Sequence, residues 1–270
     1  MSYGSLSAPA IKTLSLGAKK VGCWINTGEV GLSSFHLEGG ADLIFQIGTA
    51  KYGGRDEDGH LSDEKPRKVA AHKTVIMFEI KLSQGAKPSK GGILPTDKVI
   101  AEIAQIRNIP EGKASISPNG HLDIKNPENL LDMVHRIRQA TGKPVGFKFV
   151  LGEQGWFEDL LQLMHKKGQD YYPDFITLDS SDGGAGAAPQ PLMDFVGLPL
   201  KESLPWVIDQ LVKSDLKQHI NVIASGKLIT PSSVAWALSM GADFVNSARG
   251  FMFALGCIQA LQCNKNCCPY

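Results

Sequence analysis

Short apolar runs alternate along the chain with stretches of helical periodicity. FITLD at Phe175–Asp179 and NVIAS at Asn221–Ser225 are apolar almost throughout, which is typical of parallel strands covered on both faces. The pattern predicts eight strands, namely Met1–Gly4, Gly22–Asn26, Asp42–Ile47, Val75–Leu82, Pro144–Val150, Phe175–Asp179, Asn221–Ser225 and Asp243–Ser247.

The segments between these strands have the pattern of amphipathic helices. The clearest cover Pro9–Lys20, Pro127–Ala140 and Pro231–Met240, and the last two begin with Asn126 or Thr230 as N-cap followed by proline. Eight strands alternating with helices predict an α/β fold, a (β/α)8 TIM barrel, which typically needs about 250 residues. A doubly wound open sheet is the alternative, although no G-x-G-x-x-G motif supports its dinucleotide-binding form. We expect one domain over residues 1–270.

Composition and charge narrow the class of protein. The chain has 270 residues with 28 Lys and Arg against 27 Asp and Glu, so its net charge is +1. A dedicated nucleic-acid binder would carry a basic surface, so we expect no nucleic-acid partner. No apolar stretch approaches the roughly 20 residues of a membrane span, and the first residues do not resemble a signal peptide. We therefore expect a protein of a reducing compartment, the cytoplasm.

Glycines cluster just after the last three predicted strands, in DGGAGAAP, ASGKL and NSARG. In barrels of this type, the loops after the last strands often bind phosphate through backbone N–H groups and a helix N-terminus. Gly183, Gly184 and Gly226 would let the backbone approach a phosphate closely. Ordinary turn formation is the alternative for each glycine alone.

Isolated charges at strand ends point to a second kind of site. If Ile80 faces the helices, strand alternation turns Lys81 into the barrel, where a cation needs an anionic or electron-rich partner. Gln84 and Lys87 follow on a glycine-rich loop and suit a carboxylate ligand. Lys148 repeats the pattern of a lone cation in an apolar strand, and a snorkelling lysine is the alternative. Glu29 is either a site residue or an acid at a helix N-terminus.

Cysteines crowd the end of the chain in GCIQALQCNKNCCPY. Cys257, Cys263 and Cys268 have spacings that resemble iron–sulfur ligation, since the last is followed directly by Pro269. Zinc is less natural because the paired C-x2-C motif is absent. A tail with incidental thiols is the alternative.

Several strings together resemble the flavin-binding synthase domain of the glutamate synthase family. They include MSYGSLS, NTGE, EIKLSQGAKPSKGGILP, ISPNGH, DGGAGAAP, ASGKLIT and GCIQALQC-x4-CP, and they extend over almost the whole chain. The resemblance implies an FMN-containing (β/α)8 barrel with a [3Fe–4S] cluster. It further implies that reduced FMN delivers hydride to 2-iminoglutarate, formed from 2-oxoglutarate and ammonia, to give L-glutamate.

The resemblance also implies a role for each candidate residue. Lys81 and Glu29 match catalytic positions, and Gln84 and Lys87 match positions that bind the oxo acid. The implied cofactor ligands are Lys148, Gly183, Gly184 and Gly226 for FMN, and Cys257, Cys263 and Cys268 for the cluster.

Two departures from the family bear on activity. Gly120 replaces an arginine that would pair with a dicarboxylate, so we expect weak binding of 2-oxoglutarate. The first barrel strand is partly truncated, which suggests a piece of a longer family architecture. Ammonia and an electron donor, ferredoxin or an NAD(P)H-linked subunit, would act in trans. A truncated, non-catalytic flavin-binding relative and another FMN barrel oxidoreductase are the alternatives.

Overall fold

A computed structural model describes residues 1–88, 90–183 and 188–262 of the chain. Apolar runs form the strands, and in these ranges they are β1 (Ile25–Asn26), β2 (Leu43–Ile47), β3 (Val75–Lys81), β4 (Ile93–Leu94), β5 (Ser115–Ile116), β6 (Val145–Val150), β7 (Phe175–Asp179), β8 (Asn221–Ser225) and β9 (Phe244–Asn246). Seven of them form a parallel sheet in the order β1-β2-β3-β6-β7-β8-β9, and β4 pairs with β5 in a separate antiparallel hairpin.

Helices connect the parallel strands. The described ranges contain α1 (Ala8–Val21), α2 (Ser34–Glu38), α3 (Glu64–Ala70), α4 (Ala101–Arg107), α5 (Pro127–Thr141), α6 (Gly155–Lys167), α7 (Leu200–Lys213), α8 (Pro231–Ser239) and α9 (Ala248–Ala254). The predicted caps are confirmed, because the Asn126 side chain accepts from the N–H of Asn129 and the Thr230 hydroxyl accepts from the N–H of Ser233. No helix in these ranges has both the length and the apolar character to cross a bilayer.

The sheet curls so that its two edge strands approach each other. Trp24, just before β1, donates from Nε1 to Asn246 Oδ1 of β9 at 3.3 Å, and its ring packs edge-on against Phe244 with centroids 5.1 Å apart. When parallel strands lie in the sheet in the order of the chain, right-handed crossovers place all the connecting helices on one side of the sheet. In a doubly wound sheet the strand order reverses, and helices cover both sides. The barrel-type α/β fold is therefore confirmed, as a curled sheet of seven strands with helices outside.

The structure corrects the first predicted strand, Met1–Gly4. Tyr3 makes only an isolated bridge with Leu6. The N–H of Leu6 turns back to the carbonyl of Ser2 at 2.9 Å, and Gly4 has a φ of 96°. A turn at this glycine prevents the segment from extending along β1.

Alternation divides the sheet into an outer and an inner face. The outer face packs against the helices through a large apolar core that includes Phe45, Phe78 and Ile80. The inner face has an apolar floor where Ile44, Phe175 and Ile223 meet. Side chains nearer the carboxyl ends of the strands are polar, and they form the site described next.

Candidate active site

A cavity of about 730 Å³ lies inside the curled sheet. Its wall includes the last residues of four strands, Asn26 of β1, Lys81 of β3, Ser225 of β8 and Asn246 of β9. The volume falls within the roughly 300–1,000 Å³ of small-molecule sites, and parallel barrels hold their active sites at this end. Five of the residues predicted from sequence line it, namely Glu29, Lys81, Gln84, Lys87 and Lys148.

Lys81 is the centre of a charged cluster in this cavity. Its Nζ lies 3.2 Å from Glu29 Oε2 and donates to Gln84 Oε1 at 3.0 Å. The side chains of Lys81 and Glu29 are only 11% and 16% exposed, so the pair is shielded from solvent. Burial alone raises the pKa of Glu29, but the charges of Lys81 and Lys87 outweigh burial and hold this pKa below its ordinary value.

Two glycines give the Glu29 side chain its space. A Cβ at Gly48 would lie 2.5 Å from Glu29 Cβ, and a Cβ at Gly92 would lie 2.2 Å from Glu29 Oε1. Any side chain at these positions would therefore displace the carboxylate.

The loop after β3 is anchored by its backbone. The N–H of Gly85 donates to Asp179 Oδ2 of β7 at 3.0 Å, and a Cβ at Gly85 would lie 1.7 Å from the carbonyl oxygen of Ser180. This close approach presents Gln84 and Lys87 to the cavity. Burial, and then the charge of Lys81, lower the pKa of Lys87.

Lys148 of β6 pairs with Asp179 of β7. Its Nζ lies 3.2 Å from Asp179 Oδ2, and the Ser225 hydroxyl donates to Asp179 Oδ1 at 3.0 Å. Burial is the largest influence and lowers the pKa of Lys148, but Asp179 and Glu79 together raise this pKa above its ordinary value. Lys148 is therefore a protonated cation inside the barrel.

Two of the predicted phosphate glycines, Gly183 and Gly226, lie side by side, and neither is among the residues that line the cavity. Gly226 has a φ of 130°, and a Cβ there would lie 2.3 Å from Ser180 Cβ. A Cβ at Gly183 would lie 3.9 Å from the Cα of Gly226. Gly184 lies outside the described residues.

Arg107 is a site residue that the sequence analysis missed. It lines the cavity, is 4% exposed, and donates from Nη1 to Ser115 Oγ at 2.7 Å. Its guanidinium lies 5.1 Å from the centre of the Tyr52 ring, and its buried Nε has no hydrogen-bond partner within the described residues. The signal in the sequence is a lone charge on the apolar face that Ile103 and Ala104 give to α4.

Gly120, which stands where the family resemblance expects an arginine, is exposed and is not among the residues that line the cavity. His121 is buried, and its Nε2 lies 2.9 Å from the carbonyl oxygen of Lys81, which it holds in place. Burial is the main reason that the pKa of His121 falls to about 4. The imidazole is therefore neutral, and its Nε2 donates this hydrogen bond.

The cysteine site lies only partly within the described residues. Cys257 follows α9, and its Sγ accepts from the N–H of Gln259 at 3.4 Å. Cys263 and Cys268 lie outside the described residues. Across the described ranges, no group of three His, Cys, Asp or Glu residues could hold a metal ion.

Comparison with known proteins places this geometry in a family. The profile of the conserved region in glutamate synthase matches residues 1–270. The glutamate synthase large subunit-like protein YerD of Bacillus subtilis is 46% identical over 100% of this chain and 51% of its own length. The archaeal glutamate synthase [NADPH] of Methanocaldococcus jannaschii is 33% identical over 100% of this chain and 50% of its own length. The chain thus spans about half the length of these relatives.

Solved structures share the fold at low sequence identity. A flavocytochrome b2 variant with sulfite bound has a TM-score of 0.60 at 17% identity, covering 98% of this chain and 59% of that one. A mandelate oxidase variant with an FMN adduct has a TM-score of 0.55 at 18% identity, covering 98% and 67%. These likenesses support the barrel fold, and the match over residues 1–270 establishes that the chain belongs to the glutamate synthase family.

Proposed function

We propose that this chain is an FMN- and iron–sulfur-dependent oxidoreductase domain that reductively aminates 2-oxoglutarate to L-glutamate. The observation that carries the proposal is the buried cluster of Lys81, Glu29 and Gln84, which shares one cavity with Lys87 and Arg107. Ammonia would condense with the 2-oxo group of the substrate, and the oxygen of that group would leave as water. Two electrons and two protons would then convert 2-iminoglutarate into glutamate, one proton arriving at carbon with the electrons as hydride and the other at nitrogen.

The residues present fit FMN. The cation at Lys148 and a cavity of about 730 Å³ suit a flavin ring, and Gly226, which directly follows the cavity residue Ser225, suits a phosphate tail at the cavity edge. Lys148 would lie at the ring, and the N–H groups of Gly184 and Gly226 would hold the phosphate. The N–H of Gly183 donates to the carbonyl of Ser180 at 3.0 Å, so this glycine would shape the loop around the phosphate. FMN would supply hydride chemistry when bound. Relatives named as glutamate synthases and FMN-containing structural neighbours support this cofactor.

The cations in the cavity suit a dicarboxylate. Arg107 offers a guanidinium with an unpartnered Nε in the described structure, and Lys87 offers a second buried cation. A carboxylate paired with Lys87 would offset the burial and the charge of Lys81, which together lower the pKa of Lys87. Gln84 is fixed by Lys81 through its Oε1, so its Nε2 remains as a donor toward the substrate.

Lys81 and Glu29 would manage the proton. The Lys81 ammonium is held between Glu29 Oε2 and Gln84 Oε1, and Glu29 is ionised. An ammonium in this position stabilises negative charge as it develops on a neighbouring group. The ammonium can also donate a proton, and its contact with Glu29 keeps the ammonium directed into the cavity.

The cysteines would hold the [3Fe–4S] cluster. Cys257 accepts a backbone N–H bond, a contact that tunes thiolate ligands of iron–sulfur clusters. Cys263 and Cys268 would complete the ligand set. A cytoplasmic donor, ferredoxin or an NAD(P)H-linked subunit, would supply electrons, and ammonia would come from solution or from a partner.

Anaerobic purification tests the proposal. The protein should be yellow-brown, take up FMN in a ratio of one to one, and form glutamate from 2-oxoglutarate and ammonium when dithionite supplies electrons. A preparation that binds no added FMN would contradict the proposal. Binding of FMN without glutamate formation would instead support the non-catalytic alternative.

A further inference from the structure

Glu79 of β3 is a fully buried acid in the cavity wall. Its Oε1 accepts from Asn26 Nδ2 at 2.8 Å and from Gln46 Nε2 at 2.5 Å, and its Oε2 accepts from Thr177 Oγ1 at 2.5 Å. An isolated buried carboxylate is costly, but three donors to the charged form compensate for lost hydration. Three other strands thus contribute side chains to bind this one anion.

One of these contacts leads to the active-site acid. Asn26 donates to Glu79 through Nδ2 and accepts from the N–H of Gly28 through Oδ1 at 2.8 Å. Gly28 has a φ of 68° and begins the turn that carries Glu29. Glu79 therefore fixes the amide of Asn26 in the orientation that holds this turn.

A second contribution is electrostatic. Glu79 pairs in register with Gly146, and Lys81 pairs with Lys148, so Glu79 and both lysines lie on the inner face of adjacent strands. The acids that act on Lys148 come from three segments besides its own strand, namely Asp179 of β7, Glu79 of β3 and Glu29 after β1. The amino group of Met1 and the side chain of Lys87 are cations that act on it in the opposite sense. Asp179 contacts the lysine directly, whereas Glu79 acts from a position one layer below.

We propose that Glu79 is a positioning residue of the flavin site, which orients Asn26 and places a negative charge beneath Lys148. The inference rests on the proposed function, because it assigns a role toward bound FMN. A negative charge at this depth opposes the accumulation of electrons on the ring. The cations Lys81 and Lys148 would raise the reduction potential of FMN, and the charge of Glu79 would limit that rise.

Glu79→Gln separates charge from geometry. The amide oxygen of the new side chain can accept from Asn26 and Gln46, while its amino group donates to Thr177 Oγ1, which can reverse its role. The hydrogen bonds survive and only the charge disappears. Two controls match this variant. Thr177→Val removes one hydrogen bond to Glu79 and keeps the charge of Glu79. Asp174→Asn removes a different carboxylate, which lies just before β7 and contacts Arg138.

The experiment uses two readouts on the full chain. The first is the pKa of Lys148 without flavin, followed by NMR of isotope-labelled lysine. The second is the midpoint potential of bound FMN. We expect Glu79→Gln to lower this pKa and to raise the potential by about 30 mV or more, equivalent to about tenfold tighter binding of reduced over oxidised FMN. Both controls should leave both readouts near the wild-type values.

The outcomes separate the inference from the proposed function. If Glu79→Gln folds like the wild type and changes neither readout, the electrostatic role is overturned. Equal shifts in Glu79→Gln and Thr177→Val would also overturn it, since a structural disturbance would then explain both. If the wild type binds no FMN, the proposed function fails, and the Lys148 titration alone decides whether Glu79 acts on the lysine.

Discussion

Arg107 and Lys81 show how single side chains give this cavity its chemistry. Both are buried cations, but Lys81 has a carboxylate 3.2 Å away. Within the described residues, Arg107 contacts the neutral groups of Ser115 and Tyr52, and the charge of Glu29 acts on it from farther away. A buried guanidinium without an anion favours binding of an anionic ligand. The proposed function therefore assigns recognition of the substrate to Arg107 and handling of the proton to Lys81.

Arg107→Lys should weaken the binding of 2-oxoglutarate by at least about tenfold, because a lysine keeps the charge but loses the bidentate fork. Isothermal calorimetry on the reconstituted protein measures the effect. Gly120→Arg is the matched control. The sequence alone led us to expect weak binding because this arginine is absent, but Gly120 is exposed and is not among the residues that line the cavity, so we now expect the variant to leave affinity unchanged. Tighter binding of 2-oxoglutarate by Gly120→Arg would show that position 120, and not Arg107, determines recognition of the dicarboxylate.

His121 gives a prediction for pH. Its pKa of about 4 lies below the 6.5 of an unfolded histidine, so the unfolded state binds more protons between these values. Its contribution to stability is complete above pH 6.5 and is lost as pH falls toward 4. His121→Gln keeps a donor for the Lys81 carbonyl and removes the titration.

Urea unfolding at pH 7 and at pH 4.5 measures this loss. The decrease in unfolding free energy should be smaller in His121→Gln than in the wild type, by on the order of 2 kcal/mol. His72→Gln, at an exposed histidine, should retain the full decrease. An equal decrease in His121→Gln and in the wild type would show that the buried imidazole titrates normally.

The loop after β3 is the element on which the site depends most. Its anchor at Gly85 allows no side chain, since the carbonyl of Ser180 occupies that space. Gly17, in the middle of α1, has open space around it and provides a contrast. Glycine is therefore required by packing in one element and is merely tolerated in the other.

Gly85→Ala should lower the unfolding free energy by about 2 kcal/mol or more, because the loop must move off β7. It should also weaken binding of the oxo acid, since Gln84 and Lys87 move with the loop. Gly17→Ala should raise the unfolding free energy by roughly 0.5–1 kcal/mol. Thermal and urea unfolding check both variants, and a stable Gly85→Ala with normal binding would contradict the anchor.

The elements that the sequence predicts well are those with a strong local pattern. The long strands and capped helices lie within one or two residues of their predicted bounds, and alternation alone turns Lys81 inward. The hairpin of β4 and β5 could not be predicted, because strands of two residues carry no periodicity. The partner of Lys81 and the role of Arg107 depend on contacts between residues distant in the chain, which a local pattern does not record.

At the scale of the whole molecule, the curl of the sheet forms the cavity. Seven strands in chain order create one continuous inner face, and Trp24 connects its two edges. The cavity includes residues from both edges, so its shape depends on how closely they are held.

Trp24→Phe should lower the unfolding free energy by about 1 kcal/mol, since the ring contact with Phe244 remains and only the bond to Asn246 is lost. Trp24→Ala should cost about 2 kcal/mol more and weaken FMN binding, because the edges separate. Titration with FMN and urea unfolding measure the two effects. Wild-type affinity in Trp24→Ala would show that the edges are held independently of this side chain.

The space around Glu29 has a consequence for how such a barrel can lose its activity. Gly48 and Gly92 each leave no room for a methyl group beside the acid. A glycine codon becomes an alanine codon by one nucleotide change, and that change would displace the Glu29 side chain. Under the proposed function, a single mutation at Gly48 or Gly92 would thus separate a catalytic barrel from a non-catalytic one. The residues at these two positions in related sequences are therefore the ones to compare.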